Sequence, residues 1–271
     1  MQNNTPNIFP DVSIVLITWN IKSLLQKLLE SIYRFSQGFS FEVILIDNNS
    51  HDGTVDMVKK LFPQIILIEN TKNMGVAPAR NQGLKIAEGK YILILDADME
   101  LIDNTIKKLF DFMEEYKDCG LVGAKLTEQD GTLQYTCKRY PTFSALFFRR
   151  LEKFSFFKNS RQLKNHIMAD WAHDEVKDVD YVIGACQFFR KEVMDKIGFY
   201  DDTIFYGPED LDYCMRIWRA GWKVFYYPRT RIIHHEQRIT KKNFFSKITY
   251  KHFLGIIHLF RKYNFRLSRS L

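Results

Sequence analysis

Short apolar runs alternate with stretches of helical spacing through the first third of this chain. The runs cover residues 13–18, 41–46, 65–68 and 91–95, and they are rich in Ile, Leu and Val. Runs of this length predict strands that are buried on both faces of a sheet. Strands that alternate with helices predict a mainly parallel sheet with right-handed crossovers. We therefore expect an α/β fold, with a Rossmann-like sheet flanked by helices.

Polar residues stand at the ends of several predicted strands. Thr18 ends the first run, Asp47 follows the second, and Asp96 and Asp98 follow the fourth. Ligands of open parallel sheets bind beyond the carboxyl ends of the strands. These residues are therefore the first candidates for a functional site.

The second half of the chain departs from this regular alternation. Further elements are predicted as strands at residues 121–126, 179–183, 223–227 and 231–234, and as a helix at residues 209–220. Residues 138–168 are aromatic and basic without a clear period. We interpret this segment as a lid, or as an excursion from the sheet.

The sequence Asp96-Ala97-Asp98 comes directly after the run YILIL. Residues two apart in extended backbone point to the same side, so these two carboxylates repel each other. A divalent cation that bridges them to phosphate oxygens removes the repulsion, and as a Lewis acid it stabilises a departing nucleoside diphosphate. The position after a buried strand favours this interpretation over a solvated turn, where the pattern arises by chance.

Two other charged residues leave alternatives open. Asp47 could cap the turn after its strand, or it could accept the imide N–H of a pyrimidine base. Arg80 follows the third predicted strand, and it could pair with a diphosphate or with an acidic neighbour. Both alternatives stand on the sequence alone.

Glu209 and Asp210 open a predicted helix after Gly207-Pro208. Acidic residues in a first helical turn are favourable in any helix, because they interact with the helix dipole. A carboxylate fixed opposite the phosphate end is also what a general base needs to deprotonate an acceptor hydroxyl. Glu209 and Asp210 are therefore both candidates for the catalytic site, beside the alternative that they only stabilise the helix.

His234 and His235 follow another predicted strand. A histidine near carboxylates can complete a metal site, although a single histidine is more often structural. We expect His234 to be the metal ligand and His235 to be its neighbour.

The positive charge is concentrated at the C-terminal end. The formal net charge is +7, yet residues 238–271 carry nine Lys and Arg and no Asp or Glu, so the rest is slightly acidic. Apolar residues in this segment recur at roughly helical spacing, which is typical of a helix that lies on an anionic membrane surface. The alternative is that these residues pack back onto the sheet. No nucleic-acid-binding motif accompanies the charge, so nucleic acid is not an expected partner.

Taken together, the motifs resemble those of a known family. The stretches SIVLITWN, FEVILIDNNSHDGT, NMGVAPARNQGLKIAEGKYILILDADME, VIGACQFFRKEVMDKIGFYDD and YGPEDLDYCMRIWRAGWKVFYYP occur in this order between about residues 12 and 235. The chain resembles the inverting glycosyltransferases of family 2, which have the GT-A fold. Within that family it is similar to the rhamnosyltransferase-like enzymes of bacterial surface polysaccharide synthesis.

The resemblance implies a role for each matching residue. Thr18 and Asp47 would hold the base and ribose, and Arg80 would lie near the base or diphosphate. Asp98 and His234 would ligate a divalent metal (Mn²⁺ or Mg²⁺), and Asp96 would touch the ribose or the metal site. Gly184 and Ala185 would form a loop beside the sugars, Glu209 would orient the acceptor, and Asp210 would be the base. The donor would be a UDP- or dTDP-sugar, and the acceptor a glycan or a lipid-linked glycan.

The same resemblance implies a division of the chain. Residues 1–237 would form the glycosyltransferase domain, with residues 11–120 binding the nucleotide sugar and residues 121–237 binding the acceptor. Residues 238–271 would form a basic amphipathic tail. No apolar run is long enough for a signal peptide or a membrane span. We therefore expect a cytoplasmic enzyme that contacts the membrane surface.

Three other functions compete with this expectation. A sugar-phosphate nucleotidyltransferase would need a Gly-rich phosphate loop after the first strand, where this chain reads TWNIKS. A phosphohydrolase with a nucleophilic Asp would carry its Asp-x-Asp motif after the first strand rather than the fourth. A non-catalytic carbohydrate-binding protein has no need of a base such as Asp210.

Overall fold

The computed structural model describes residues 9–142, 144–146, 159–236 and 247–269. The strands of these residues are β1 Val12–Thr18, β2 Phe41–Asp47, β3 Ile66–Glu69, β4 Tyr91–Asp96, β5 Met99–Leu101, β6 Cys119–Thr127, β7 Leu133–Gln134, β8 Cys137–Lys138, β9 Lys177–Asp178, β10 Tyr181–Val182, β11 Cys186–Arg190 and β12 Lys223–His234. The helices are α1 Lys22–Phe35, α2 Thr54–Leu61, α3 Val76–Leu84, α4 Thr105–Glu115, α5 Arg161–His166, α6 Lys191–Ile197, α7 Glu209–Arg219 and α8 Lys247–Lys262.

One large sheet forms the centre of the fold. Its strand order is β3-β2-β1-β4-β11-β6-β12-β5, with β7 and β9 added at the side. The strands β1, β2, β3 and β4 pair in parallel, and β12 pairs in parallel with β6. Helices cover both faces, so the predicted α/β class with a mainly parallel sheet is confirmed.

Apolar side chains on both faces hold the helices to the sheet. In α1 the stripe of Leu25, Leu28, Leu29 and Ile32 is fully buried against one face, together with residues of α2 and α4. The other face carries buried residues of α3, α6, α7 and α8. A fully buried Leu or Ile contributes about 1.5–3 kcal/mol to folding, so these stripes determine on which face each helix lies.

The antiparallel strand β11 is not among the strands that the sequence predicts. It inserts between β4 and β6 and pairs antiparallel with both. The strand predicted at residues 179–183 is reduced to β10, which pairs with β8 in a separate two-stranded sheet. The two strands predicted at residues 223–227 and 231–234 form the single strand β12, whose register against β6 shifts between Tyr227 and Arg231.

The predicted lid falls partly outside the described residues, because residues 143 and 147–158 are not among them. At its start, β8 pairs with β10, and the side chain of Lys138 is buried. At its end, α5 begins after Ser160, whose side chain accepts a hydrogen bond from the backbone N–H of Leu163. These two ends are packed parts of the domain, and the lid hypothesis itself stays a prediction.

Candidate active site

The candidate residues meet at one edge of the large sheet. Thr18 and Asp47 are neighbours at the carboxyl ends of β1 and β2, and Asp96 ends β4, which pairs in parallel with β1. His234 ends β12, whose direction is the same as that of β4 because two antiparallel pairings separate them. The topology therefore brings residues from distant parts of the chain to the edge where parallel sheets bind ligands.

Two carboxylates and one imidazole form a cluster at this edge. One ligand atom each from Asp96, Asp98 and His234 lie within 4.8 Å of one another. The Nε2 atom of His234 is 3.4 Å from an oxygen of Asp98, and both side chains are largely buried. Oxygen and imidazole nitrogen ligands of this kind suit Mn²⁺ or Mg²⁺, so the donor set fits a divalent metal.

The orientation of His234 is set by Gln134. The Nδ1 atom of His234 is 2.7 Å from the side-chain oxygen of Gln134, and the Gln134 amide nitrogen donates to the carbonyl oxygen of His234. Because an amide oxygen only accepts, Nδ1 carries the proton and donates it. The Nε2 atom then faces the carboxylates, which is the arrangement that a metal-binding histidine requires.

Neighbouring charges alter the ionisation of this cluster. Burial lowers the pKa of His234, but the carboxylates of Asp98 and Asp96 outweigh burial and raise it above its usual value. Desolvation raises the pKa of Asp96 against the opposing effect of Arg80, and Asp98 raises it further. The raised pKa values mean that this cluster favours binding of a proton. A divalent cation bound between the same groups would take the place of that proton.

His235 has a different partner. Its Nε2 atom is 3.1 Å from the carboxylate of Glu100, on β5, and its backbone N–H donates to the carbonyl oxygen of Asp98. The side chains of neighbouring residues at the end of a strand point in opposite directions. The structure therefore places His234, and not His235, in the cluster with Asp96 and Asp98.

Arg80 joins the two sides of the site. Its guanidinium is buried in α3, 3.0 Å from an oxygen of Asp96 and 3.1 Å from an oxygen of Glu209. It also donates to the carbonyl oxygen of Gly184 over 2.8 Å, and it lies over the ring of Tyr200. Burial lowers the pKa of Arg80, but Asp96 and Glu209 outweigh burial and raise it. The sequence left open whether Arg80 pairs with a diphosphate or with an acidic neighbour, and the structure shows pairing with two acidic neighbours.

The backbone of Gly184 and Ala185 connects these groups. The N–H of Gly184 donates to the carboxylate of Asp210 over 3.0 Å, and the carbonyl oxygen of Ala185 accepts from the N–H of Asp96. A Cβ atom at Gly184 would lie 2.5 Å from a guanidinium nitrogen of Arg80. Position 184 therefore needs glycine, because any side chain would displace the buried arginine.

Glu209 is buried with one oxygen unpaired. Its side chain is about 7% exposed, and one oxygen pairs with Arg80. The other oxygen, Oε2, has no hydrogen-bond partner among the described residues. Burial raises the pKa of Glu209 to about 7, against the opposing effect of Arg80. An unpaired buried carboxylate oxygen is costly, so a ligand hydroxyl that donated to Oε2 would be bound favourably.

Asp210 is held in one orientation by backbone donors. One carboxylate oxygen accepts from Gly184, and the other accepts from the N–H of Leu211 over 2.7 Å. The residue lies in the first turn of α7, where the helix dipole stabilises negative charge. Its carboxylate is only partly buried, so a ligand can reach it.

Thr18 and Asp47 offer unpaired polar atoms at the other end of the site. Both residues are buried, and one oxygen of Asp47 accepts from the N–H of Ser50 over 2.8 Å. The Thr18 hydroxyl and the other oxygen of Asp47 have no partner among the described residues. Asp47 thus caps the following turn and still keeps one acceptor free, so the two alternatives drawn from the sequence are compatible.

The helix α8 packs against the segment that leads to Glu209 and Asp210. The Nδ1 atom of His252 is 3.0 Å from the carbonyl oxygen of Gly207, two residues before Glu209. A Cβ atom at Gly255 would lie 2.9 Å from that same carbonyl oxygen, so the helix backbone approaches the segment closely. Near the end of α8, Lys262 pairs with Asp201 and with the buried Asp212 of α7.

Sequence reasoning did not identify Gln134 or Tyr200. Gln134 is 100 residues away from His234, and it lies on the short strand β7. Tyr200 is buried, and its hydroxyl donates to Gln187 of β11. Neither residue belongs to a recognisable motif, so only the folded chain relates them to the site.

Comparisons with known proteins give a family match and several relatives. A family profile described as "Glycosyl transferase family 2" matches residues 13–198. An N-acetylglucosaminyl-diphospho-decaprenol L-rhamnosyltransferase of Mycobacterium tuberculosis is 20% identical over 258 residues, which are 88% of this chain and 80% of that protein. The UDP-Glc:alpha-D-GlcNAc-diphosphoundecaprenol beta-1,3-glucosyltransferase WfaP of Escherichia coli is 38% identical over 108 residues, which are 39% of this chain and 42% of that protein.

One solved structure has a similar fold. The mannosyltransferase PcManGT of Pyrobaculum calidifontis, in complex with GDP-Man and Mn²⁺, matches with a TM-score of 0.59 at 20% identity. The match covers 86% of this chain and 59% of that one, so this chain spans about three fifths of the solved protein. The likeness supports the GT-A type of α/β fold that the motifs indicate.

Proposed function

This chain belongs to glycosyltransferase family 2, and we propose that it transfers a sugar from a pyrimidine nucleoside diphosphate to a hydroxyl group of a polysaccharide or lipid-linked glycan, with inversion at the anomeric carbon. The observation that carries the proposal is the arrangement around Arg80. This arginine joins the metal-binding cluster, through Asp96, to the helix that presents Glu209 and Asp210. Donor and acceptor groups would meet between these two sides.

Asp98 and His234 would ligate a divalent cation, with Asp96 at its edge. The cation would stabilise the negative charge on the departing diphosphate. Gln134 keeps the Nε2 atom of His234 directed at the carboxylates. Mn²⁺ is present with a nucleotide sugar in the structure of PcManGT, which supports the same class of metal here.

Asp210 would act as the general base. Its two backbone hydrogen bonds fix the carboxylate, so the acceptor hydroxyl meets it in one orientation. A single displacement at the anomeric carbon needs one base and gives an inverted product. Glu209 would orient the acceptor through Oε2, while Arg80 holds its other oxygen.

Thr18 and Asp47 would bind the nucleoside. The free oxygen of Asp47 can accept the imide N–H that uracil and thymine carry and cytosine lacks. The unpaired Thr18 hydroxyl lies beside it at the end of β1. We therefore propose UDP- or dTDP-sugars as donors, with Gly184 and Ala185 lining the space for the sugar.

The direct test is a panel of sugar nucleotides. We expect one UDP- or dTDP-sugar to raise the unfolding temperature in the presence of Mn²⁺, because a ligand of the native state stabilises it. The same donor should support transfer of labelled sugar to a glycan acceptor, and NMR of the product should show the inverted anomer. A GDP-sugar as the preferred donor would contradict the role of Asp47, and a retained anomer would contradict the single base.

We further propose that the outer face of α8 contacts an anionic membrane. Tyr250, Phe253 and Leu254 are 63%, 52% and 45% exposed, and Arg261 is exposed on the same side of the helix. Aromatic residues beside cations are typical of helices that lie in the membrane interface. Of the apolar residues that recur at helical spacing in residues 238–271, Phe260 is buried, and Phe245 lies outside the described residues. No described helix is long and apolar enough to cross a bilayer.

Vesicle co-sedimentation tests this surface. We expect the protein to bind vesicles that contain anionic lipid, and the double variant Tyr250→Ser/Phe253→Ser to bind them on the order of tenfold more weakly, because two apolar contacts are lost. Leu61→Ser is the matched control, since Leu61 is 48% exposed on α2. Equal binding of the double variant and the control, or equal binding to neutral vesicles, would contradict the proposal.

A further inference from the structure

A cavity of about 400 Å³ lies where β12 bulges away from β6. Residues 228–230 of β12 have no partners in β6. The hydroxyl of Thr230 donates to Asp103 over 2.8 Å and holds this bulge against the start of α4. A bulge changes the direction of the side chains beside it, and here both Arg229 and Arg231 line the cavity.

Three cations line the cavity, and among the described residues none of them has a carboxylate partner. Lys125 of β6 and Arg231 of β12 are paired in register, and Arg229 lies in the bulge. Residues paired on neighbouring strands are about 5 Å apart, and like charges at that distance repel each other. The fold therefore retains a repulsion that an anion in the cavity would remove.

The acidic side chain at the cavity already has its own partners. Asp103 accepts from Lys108 over 2.7 Å, from Thr105 over 2.6 Å and from Thr230. Burial raises the pKa of Asp103, but these three hydrogen bonds outweigh burial and lower it. The carboxylate is thus ionised and fully occupied at the start of α4, and the charge of the three cations is left for a ligand.

A buried hydroxyl adds an independent observation. Thr127 is 1% exposed and lines the cavity, yet its hydroxyl has no hydrogen-bond partner among the described residues. It lies two residues after Lys125 on the same strand, so the two side chains point to the same side. A buried hydroxyl without a partner is unfavourable, and a ligand oxygen that accepted from it would be bound favourably.

We propose that this cavity, which we call the cation pocket, binds the phosphate group of a small organic phosphate. Guanidinium and ammonium groups form strong charge-assisted hydrogen bonds with phosphate oxygens. The volume of the cavity lies within the range of small-molecule sites, about 300–1,000 Å³, and leaves room for a group larger than phosphate. Ile102 and Pro228 line the same cavity and would contact the carbon part of the ligand.

The cation pocket is separate from the transfer site. Arg231 and His234 are three residues apart in β12, and β12 pairs regularly with β6 from Arg231 onwards. Side chains alternate along a strand, so those of Arg231 and His234 point to opposite faces of the sheet. The proposal therefore concerns a second site, and it does not depend on the proposed function.

Titration with small ligands tests the pocket without any transfer reaction. With chelator present, ³¹P NMR should show that the wild type binds glucose 6-phosphate more tightly than inorganic phosphate, and calorimetry should show no binding of glucose. We expect Arg231→Ala to bind both phosphates about tenfold more weakly, because a charge-assisted hydrogen bond is lost. Arg34→Ala is the matched control, since Arg34 is an exposed arginine in the last turn of α1, and it should bind like the wild type.

Lys125→Glu separates loss of the ligand from loss of the fold. The variant turns the like-charged pair with Arg231 into an oppositely charged pair. In buffer without phosphate we expect its unfolding temperature to rise by about 1–3 °C. Glucose 6-phosphate should raise the unfolding temperature of the wild type, because a ligand of the native state stabilises it, and should leave that of Lys125→Glu unchanged.

Two results would overturn the cation pocket: equal phosphate binding by Arg231→Ala and the wild type, or equal stabilisation of Lys125→Glu and the wild type by glucose 6-phosphate. An ester that binds no more tightly than inorganic phosphate would overturn the assignment to an organic phosphate. Asp98→Asn should bind glucose 6-phosphate like the wild type, and weaker binding would show that the two sites are not separate. Failure of every sugar nucleotide would overturn the proposed function alone.

Discussion

Replacement of Asp98 by Asn is expected to lower kcat/KM by about 10³-fold or more. The variant keeps the size of the side chain but removes a charged metal ligand, and a Lewis-acidic metal provides several kcal/mol of stabilisation to the developing charge. Nucleotide binding in Mn²⁺ or Mg²⁺ should weaken as well, because Asp98 would help to hold the cation that offsets the charge of the diphosphate. Steady-state kinetics and calorimetric titration with the nucleoside diphosphate measure the two effects.

Glu100→Gln is the matched control for the metal site. Glu100 is two residues after Asp98, and it contacts His235 rather than His234. We expect this variant to keep most of its activity and its metal-dependent nucleotide binding. Asp96→Asn should have a smaller effect than Asp98→Asn, because Asp98 would ligate the metal directly and Asp96 would lie at its edge. Full activity of the wild type in excess chelator would show that the cluster does not serve a metal.

Replacement of Asp210 by Asn is expected to lower kcat by about 10²–10⁴-fold, the usual scale for the loss of a general base. The amide can still accept from Gly184, so the position of α7 should be kept. Donor binding should persist, since Asp47 and the metal-binding cluster belong to the other side of the site. Single-turnover kinetics, with calorimetry of donor binding, separate these effects.

Asp202→Asn provides the comparison for the base. Asp202 is exposed eight residues earlier, and the same change of charge there should leave kcat unaltered. A kcat of Asp210→Asn within a few-fold of the wild type would assign the proton to another group. Glu209 would then be the group to test, because its raised pKa also permits proton transfer near neutral pH.

The strand ends were predictable from sequence because the parallel strands are continuous apolar runs. In β1, β2 and β4 almost every residue is buried, so the first polar residue after each run marks the edge of the sheet. Thr18, Asp47 and Asp96 were placed correctly on this basis. Their positions follow from burial and strand direction, without any knowledge of the partners that they meet.

The antiparallel strand β11 was not predictable in the same way. It contains Gln187 and Arg190, both buried, which a pattern of hydrophobicity assigns to the surface. Gln187 donates to the carbonyl oxygen of Val182, and Arg190 donates to the carbonyl oxygen of Cys119. Such buried polar residues are tolerated only because distant parts of the chain supply partners, and the order of residues does not reveal those partners.

The contacts between site residues could not be predicted from the sequence for a similar reason. Arg80 meets Asp96 and Glu209, which are 16 and 129 residues away, and the sequence indicated only that an acidic partner was possible. The tail was predicted as an amphipathic helix, but its inward side could not be identified. Lys262 pairs with the buried Asp212, so one cation of this tail belongs to the contact with α7.

The contact between α8 and the segment before Glu209 determines where this protein can be shortened. The family match ends at residue 198, and the last strand of the large sheet ends at His234. A version cut after that strand would retain Thr18, Asp47, Asp98 and His234, but it would lose the imidazole of His252 behind Gly207. We expect such a fragment to transfer sugar poorly, because the segment before Glu209 and the buried Asp212 would both lose partners that α8 provides. The C-terminal boundary of a shortened version of this protein therefore lies after α8 and not after the last strand.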